Sequence, residues 1–408
     1  MKCRHCGAPL TLTLVDLGSA PPSNAYLSAQ ALDAAETWYP LRVLVCTQCL
    51  LVQTADFARA SELFDARYAY FSSYSSTWLE HARRFVAVMV ARFGLRAGSR
   101  VVEVAANDGY LLQYVRGRGI ECLGIEPTAS TAAAARASGL AIVEEFFGVP
   151  LAERLRATGQ QADLMVANNV LAHVPDINDF VRGFALLLKP AGVASFEFPH
   201  LLQLIGQSQF DTIYHEHYSY LSLLAVERIF ASCGLEVFDV EELPTHGGSL
   251  RVLAQRADSG KQALTAAVAA LLRRERAAGM ADVAYYGGCQ RRLEELKDGF
   301  LRFLLDARAQ GRQVAGYGAA AKGNTLLNYA GVRPDLLRFV ADRNPAKQGH
   351  YLPGSRIPVV AESVLREARP DYVLILPWNL ADEVRAQLGY IREWGGRFVT
   401  AVPRLELS

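Results

Sequence analysis

The sequence lacks an excess of charge of either sign, a long apolar run and a cysteine content suited to a disulfide framework. Among 408 residues, 42 Lys and Arg face 41 Asp and Glu, a net charge of +1. A chain built to grip phosphate backbones carries a clear basic excess, so no nucleic-acid partner is expected. No stretch reaches the roughly 18 to 20 uninterrupted apolar residues that span a bilayer, so no membrane partner is expected either. The opening Met1-Lys2-Cys3-Arg4-His5-Cys6 contains no apolar signal segment. A soluble, cytoplasmic location is the expectation. The chain does have 51% hydrophobic residues, ample for packed cores. At roughly 150 residues per domain its length predicts two to three domains.

The seven cysteines are an odd number, which argues against disulfide pairing throughout. Four of them form two Cys-x-x-Cys pairs, Cys3/Cys6 and Cys46/Cys49. Two such knuckles predict one tetrahedral Zn²⁺ held by four thiolates, with no open position for substrate. A redox Cys-x-x-Cys would explain one pair but not two. The zinc is therefore structural.

Residues 1–67 are assigned to this zinc-binding domain. Beyond it, the aromatic and serine-rich run Tyr68 to Ser76 is either a linker or a lid. Apolar residues three or four apart from Leu79 to Phe93 predict an amphipathic helix. Strand and helix patterns then alternate regularly, with strands at SRVVEVA, ECLGIEP, LAIVEEFF, DLMVANN and GVASFEFPH. Helices of this length between strands predict a parallel, doubly wound sheet covered on both faces. Two further strands, LEVFDVEEL and SLRVLAQRA, close a second domain spanning 68–258. A charged helical connector from Lys261 to Arg308 leads into another α/β unit, and residues 259–408 are assigned to this third domain. The fold class is α/β throughout, apart from the small zinc-binding module.

Four groups of residues carry candidate chemistry. The first is the turn Glu103-Val-Ala105-Ala-Asn107-Asp108-Gly109 after the first strand. Glu126 ends the second strand, where a carboxylate accepts hydrogen bonds from ribose hydroxyls. The absence of Gly-x-Gly-x-x-Gly disfavours a pyrophosphate-bearing dinucleotide. An adenosine ligand without phosphates fits better, and S-adenosylmethionine is the commonest. Asn168 and Asn169, after the fourth strand, line the same crevice.

The second group is Phe210 to Tyr220, containing Tyr214, His215, Glu216 and His217. Metal binding, general acid–base chemistry and a merely polar loop all fit its composition. A strand would send Tyr214 and His217 to opposite faces, whereas a helical turn would put them on one. The third group comprises His173 and His200, at the carboxyl ends of the fourth and fifth strands, and His246 in a polar turn. The fourth is Gly316-Tyr-Gly318-Ala-Ala-Ala-Lys322-Gly-Asn324, where a small-residue turn and helix start suit an anion such as a substrate phosphate. Gly316-x-Gly318 with Asp342 is also a partial match to a nicotinamide site.

Together these motifs resemble the sugar C-methyltransferase family, whose best-known members are C3-methyltransferases of thymidine-diphosphate keto-deoxysugars. The resemblance covers essentially the whole chain. Its elements are Cys3, Cys6, Cys46 and Cys49, the Glu103–Gly109 turn, Tyr214-His-Glu216-His217, and Gly316 to Asn324. Ala105 departs from the pattern, standing where the family has glycine. The resemblance implies a class I methyltransferase domain using S-adenosylmethionine, followed by a Rossmann-like carboxyl-terminal domain. It implies a nucleotide-diphosphate keto sugar as substrate and base-catalysed enolate formation before methyl transfer. It assigns the base to His217, with Glu216 and Tyr214 beside it. His173 is similar to a second active-site histidine, and Tyr70 to the tyrosine of a mobile closing segment. His200, His246, Gly318, Lys322 and Asn324 are the expected substrate contacts. An O-methyltransferase with the same base, or a nicotinamide-dependent oxidoreductase, would share parts of this pattern. Activity is expected to rise with pH through the ordinary histidine range of about 6 to 7.

Overall fold

Apolar runs such as Val101-Val102 and Leu164-Met165-Val166-Ala167, flanked by charged residues or turns, form strands buried on both faces. The computed structural model describes residues 1–57 and 71–408. In chain order the strands are β1 (Leu12–Ala20), β2 (Tyr39–Val45), β3 (Val52–Thr54), β4 (Arg100–Val104), β5 (Glu121–Ile125) and β6 (Ile142–Val143). They continue as β7 (Ala162–Asn168), β8 (Leu188–Pro199), β9 (Ser219–Tyr220), β10 (Leu235–Leu243) and β11 (Ser249–Arg256). The last are β12 (Val314–Tyr317), β13 (Val340–Ala341), β14 (Val359–Val360), β15 (Tyr372–Ile375), β16 (Arg397–Thr400) and β17 (Glu406–Leu407).

The central sheet has the order β10-β11-β8-β7-β4-β5-β6. Strands β4 to β8 are parallel, and β11 returns antiparallel against β8. This is the class I methyltransferase arrangement. Strand order reverses between β4 and β7, so a crevice opens over their carboxyl ends. The third expected strand shrinks to two residues in β6, because Glu144, Glu145 and Phe146 beyond it are exposed. The carboxyl-terminal sheet, β14-β13-β12-β15-β16-β17, is Rossmann-like, parallel except for β17, with its own reversal between β12 and β15.

The helix expected before the central sheet runs from Ser76 to Phe93. The Ser75 side chain accepts from Trp78 N, and left-handed Gly94 ends it. The charged connector is divided into two long helices. Helices Ala266–Ala277 and Cys289–Ala309 flank a turn that holds left-handed Gly279 and Gly288.

The amino-terminal sheet, β1-β2-β3-β9, is not made by residues 1–67 alone. Its fourth strand, β9, comes from the histidine-rich segment of the middle unit. The sequence boundary at 67/68 lies outside the described residues.

Both knuckles turn back through a left-handed residue just after their second cysteine, Gly7 (φ 74°) and Leu50 (φ 65°). The backbone N–H groups of these residues donate to the carbonyls of Cys3 and Cys46. Sγ of Cys3 lies 3.5 Å from that of Cys49, and Cys6 and Cys46 are equally close. All four sulfurs lie within 4.8 Å of one another. Zinc–sulfur bonds of about 2.3 Å in a tetrahedron need sulfurs roughly 3.8 Å apart, so the set fits Zn²⁺ and closes around it. Among the described residues no other cluster of this kind occurs, nor any helix long and apolar enough to cross a membrane. Cys46→Ser is expected to lower zinc below one per chain and to destabilise the protein by about 4 kcal/mol or more. Metal analysis and thermal melting check this, and full zinc retention would contradict it.

Candidate active site

The turn after β4 depends on unusual backbone geometry. Ala105 (φ 59°), Asn107 (φ 50°) and Gly109 (φ 84°) all lie in the left-handed region. Glycine would be relaxed at position 105, and alanine there costs about 1 to 2 kcal/mol. At Gly109 a Cβ would stand 2.2 Å from Leu140 Cδ1, so this position admits only glycine.

Glu126 holds the turn from β5. Its two carboxylate oxygens accept from Asn107 N and Thr128 N, each at 2.9 Å. Each oxygen keeps a second lone pair for a ribose hydroxyl. Glu103 is fully buried, and desolvation pushes its carboxyl well above the ordinary range. Among the described residues, buried Asp108 Oδ1 and Asn169 Oδ1 find no hydrogen-bond partner. These groups, with Asn168, surround the carboxyl ends of β4 and β7. An adenosyl amino acid would use this unmet hydrogen-bonding capacity, so the residues fit S-adenosylmethionine. The serine-rich run docks on the same turn. Ser72 N donates to Asn107 Oδ1 at 2.9 Å, and Ser73 N to Asp108 Oδ2 at 3.0 Å. Tyr70 lies outside the described residues.

The histidine-rich segment folds as a turn, not as a strand. His217 N donates to Tyr214 O at 2.9 Å, and their ring centroids are 4.0 Å apart. The geometry left open by the sequence is thus the one in which these side chains meet. His173 joins them, its ring edge-on to His217 at 4.6 Å. Nδ1 of His217 is 2.7 Å from Thr212 O, an acceptor only. The proton therefore sits on Nδ1, and Nε2 carries the basic lone pair. Burial, reinforced by His173, Lys322 and His246, holds the His217 imidazolium well below its ordinary pKa. Burial likewise takes His173 down to about 4.

Glu216 points to a different neighbour. Asn24 Nδ2, from the zinc module, lies 2.7 and 2.8 Å from its two oxygens. Burial still raises this carboxyl to about 7. Sequence reasoning missed Asn24, because an asparagine after two prolines reads as an ordinary turn residue.

The remaining expected contacts separate into two sets. His246, at φ 55°, reaches the crevice, where its Nε2 accepts from Asn169 Nδ2 at 3.2 Å. Lys322 is also near the histidines. Its Nζ donates to Asn379 Oδ1 at 2.7 Å and sits 4.7 Å over the Trp378 ring. Burial lowers its pKa, opposed by Asp211. By contrast, His200 Nε2 is engaged with buried Glu275 at 2.7 Å, and that carboxylate also caps Leu223 N and Leu224 N. Asn324 Nδ2 donates to Ser23 O at 2.6 Å, tying the carboxyl-terminal unit to the zinc module. A Cβ on Gly318 would meet Pro377 at 2.5 Å, so this glycine serves close packing. Asp342 spends its two oxygens on Ala319 N and Asn344 N, which weakens the nicotinamide reading of this turn.

A second polar network, also missed, lies behind the crevice. Buried Glu197 accepts from Arg251 and Thr245 and pairs with His81 Nε2 at 2.9 Å. His81 stacks on Trp78 at 4.8 Å, and Trp78 in turn stacks on Tyr110 at 5.8 Å. These partners are far apart in sequence, so no local motif marks them.

Family models match in three successive segments. They are described as "Putative zinc binding domain" over residues 3–64, "Methyltransferase domain" over 78–240 and "C-methyltransferase C-terminal domain" over 244–403. C-methyltransferase NovU of Streptomyces niveus is 35% identical over 402 residues, covering 98% of this chain and 95% of that protein. The ubiquinone biosynthesis O-methyltransferase of Bordetella avium (strain 197N) is 32% identical over 105 residues, 25% of this chain and 44% of that protein. Among solved structures, magnesium protoporphyrin IX methyltransferase from Synechocystis PCC 6803 with bound SAM shares 15% identity at a TM-score of 0.34, covering 44% of this chain and 79% of that one.

Glu126→Ala is expected to weaken S-adenosylmethionine binding by about 1.5 to 3 kcal/mol, the range for a hydrogen bond to a charged group. Calorimetry checks this, and unchanged affinity would move the ribose contact elsewhere.

Proposed function

The chain belongs to the C-methyltransferase family and is an S-adenosylmethionine-dependent enzyme that methylates carbon, and we propose that its substrate is a nucleotide-linked 4-keto deoxysugar methylated at C3. A ketone beside the target carbon acidifies its C–H bond, because the carbanion delocalises into an enolate. His217 removes that proton through Nε2. The Thr212 carbonyl fixes the tautomer, and Tyr214 and His173 fix the ring plane. S-adenosylmethionine, when bound, supplies the electrophilic methyl group that the enolate carbon accepts. A dry site preserves the enolate from solvent protons, and the burial of Glu216 and His217 supports this. Glu216 binds a sugar hydroxyl or the keto-side oxygen. The nucleotide portion is assigned to the strand reversal between β12 and β15. There Lys322 is a half-buried cation held between Asn379 and Trp378. His246 and Lys322 are retained as substrate contacts, whereas His200, Gly318 and Asn324 serve packing and domain contacts.

The observation that carries this reading is the commitment of His217 Nδ1 to Thr212 O, which leaves Nε2 as the basic nitrogen of a neutral ring packed among His173 and Tyr214. It also alters the expected pH dependence. A lowered imidazole pKa means the basic form persists well below pH 6.5, so His217 does not set a rise between about 6 and 7. Glu216 has its pKa raised to about 7 and is a carboxylate only above it, so the acid limb is assigned to this residue.

His217→Asn is expected to slow exchange of the keto sugar's α-proton into deuterated water by about 10² to 10⁴, the usual size of general-base loss. The exchange is run with the demethylated cofactor bound, so that methyl transfer is silent. Cofactor affinity should stay near the parental value, because the adenosine contacts lie on β4, β5 and β7. Exchange at the parental rate would exclude His217 as base and leave His173 as the next candidate.

A further inference from the structure

The zinc module reaches the active site through one side chain. The loop between β1 and β2 carries Ser23, Asn24 and Tyr26, and the carboxyl-terminal unit clamps it from the other side. Asn324 Nδ2 donates to Ser23 O at 2.6 Å, and Tyr26 OH donates to Ala319 O at 2.5 Å. Leu27 and Tyr351 exchange backbone hydrogen bonds at 2.9 and 2.8 Å. Between these fixed points, Asn24 projects its amide onto both oxygens of Glu216. A buried carboxylate is costly in its charged form, and an amide donor favours that form over the neutral acid.

We propose that Asn24 is a positioning residue of the active site, which fixes the plane of the Glu216 carboxylate and keeps it ionised in a buried position. This rests on the reading that Glu216 contacts the sugar. Among the described residues no cation pairs with the carboxylate, and the amide is the group there that favours its charge. Among the described residues, the other ionisable groups in this neighbourhood are Tyr26 on the same loop, with Lys347 and Asp342 of the carboxyl-terminal unit beside it, and His173 and His217 on the methyltransferase unit. Burial raises the carboxyl to about 7, and Asn24 is the contact that opposes this. Loss of the amide therefore moves the Glu216 titration further up, and less carboxylate remains at neutral pH. An aspartate in its place would put a second carboxylate within hydrogen-bonding distance, and the two would share one proton.

The test uses full-length Asn24→Leu and Asn24→Asp, each checked for bound zinc and melting temperature. Infrared pH-difference spectra report the protonation of Glu216 directly and need no substrate; Glu216→Gln identifies its band. In both variants the band's midpoint is expected to rise by about one pH unit or more. The acid limb of kcat should rise with it, while S-adenosylmethionine affinity stays unchanged. An unmoved midpoint in either correctly folded variant overturns the proposal, whatever happens to activity. A moved midpoint with an unmoved activity limb supports the role of Asn24 and removes Glu216 from the proposed reaction. If the leucine variant does not fold, the nearly isosteric aspartate variant decides the matter alone.

Discussion

The short antiparallel ladder between β3 and β9 joins a metal-closed module to the proposed catalytic segment, which has almost no secondary structure of its own. Val52 pairs with Tyr220 and Gln53 with Ser219, and Thr54 N donates to Tyr218 O at 3.1 Å. The Thr54 hydroxyl donates to the His217 carbonyl itself. A turn such as Tyr214 to His217 has few local constraints, so its geometry is borrowed from that sheet. Arg4, inside the first knuckle, extends the grip. It donates to the carbonyls of Thr54 and Pro175, at 3.0 and 2.9 Å, and its guanidinium lies over the Tyr218 ring. The zinc therefore holds in register the segments carrying His173 and His217, at a distance from the chemistry.

Burial dominates the electrostatics of the site. Desolvation alone moves carboxylates up and imidazoles down. Here it leaves His173, His217 and His246 neutral and makes Glu216 the group that titrates near neutrality. A neutral imidazole with a fixed tautomer is a usable base without a carboxylate partner. Asp211 and Lys322 moderate each other at the edge of the carboxyl-terminal unit. The carboxyl is raised only to about 6 because the ammonium opposes its burial. Three units thus supply the proposed site: Asn24 from the first, the histidines from the second and Lys322 from the third.

Much of this was legible in the sequence where the signal is local. Paired thiols give a metal site by spacing, and alternating apolar runs give a doubly wound sheet. The Glu103–Gly109 turn and Glu126 mark the proposed cofactor crevice by position. What escaped is whatever depends on distant partners. His200 ends a strand as an active-site histidine would, yet Glu275, from the helical connector, draws it into the core. Asn24 and the Glu197–His81–Arg251 network likewise depend on which segments fold against one another. Gly318 and Asn324 read as an anion-binding turn, but Pro377 and Ser23 account for them by packing and a domain contact.

The proposed reaction makes a bond between carbon and carbon. Incubation with S-adenosylmethionine carrying a ¹³C-methyl group and a nucleotide-linked 4-keto sugar enriched in ¹³C tests it by NMR. The account predicts one-bond carbon–carbon coupling between the new methyl group and the ring carbon next to the ketone. A methyl resonance in the O-methyl region, without that coupling, would contradict it.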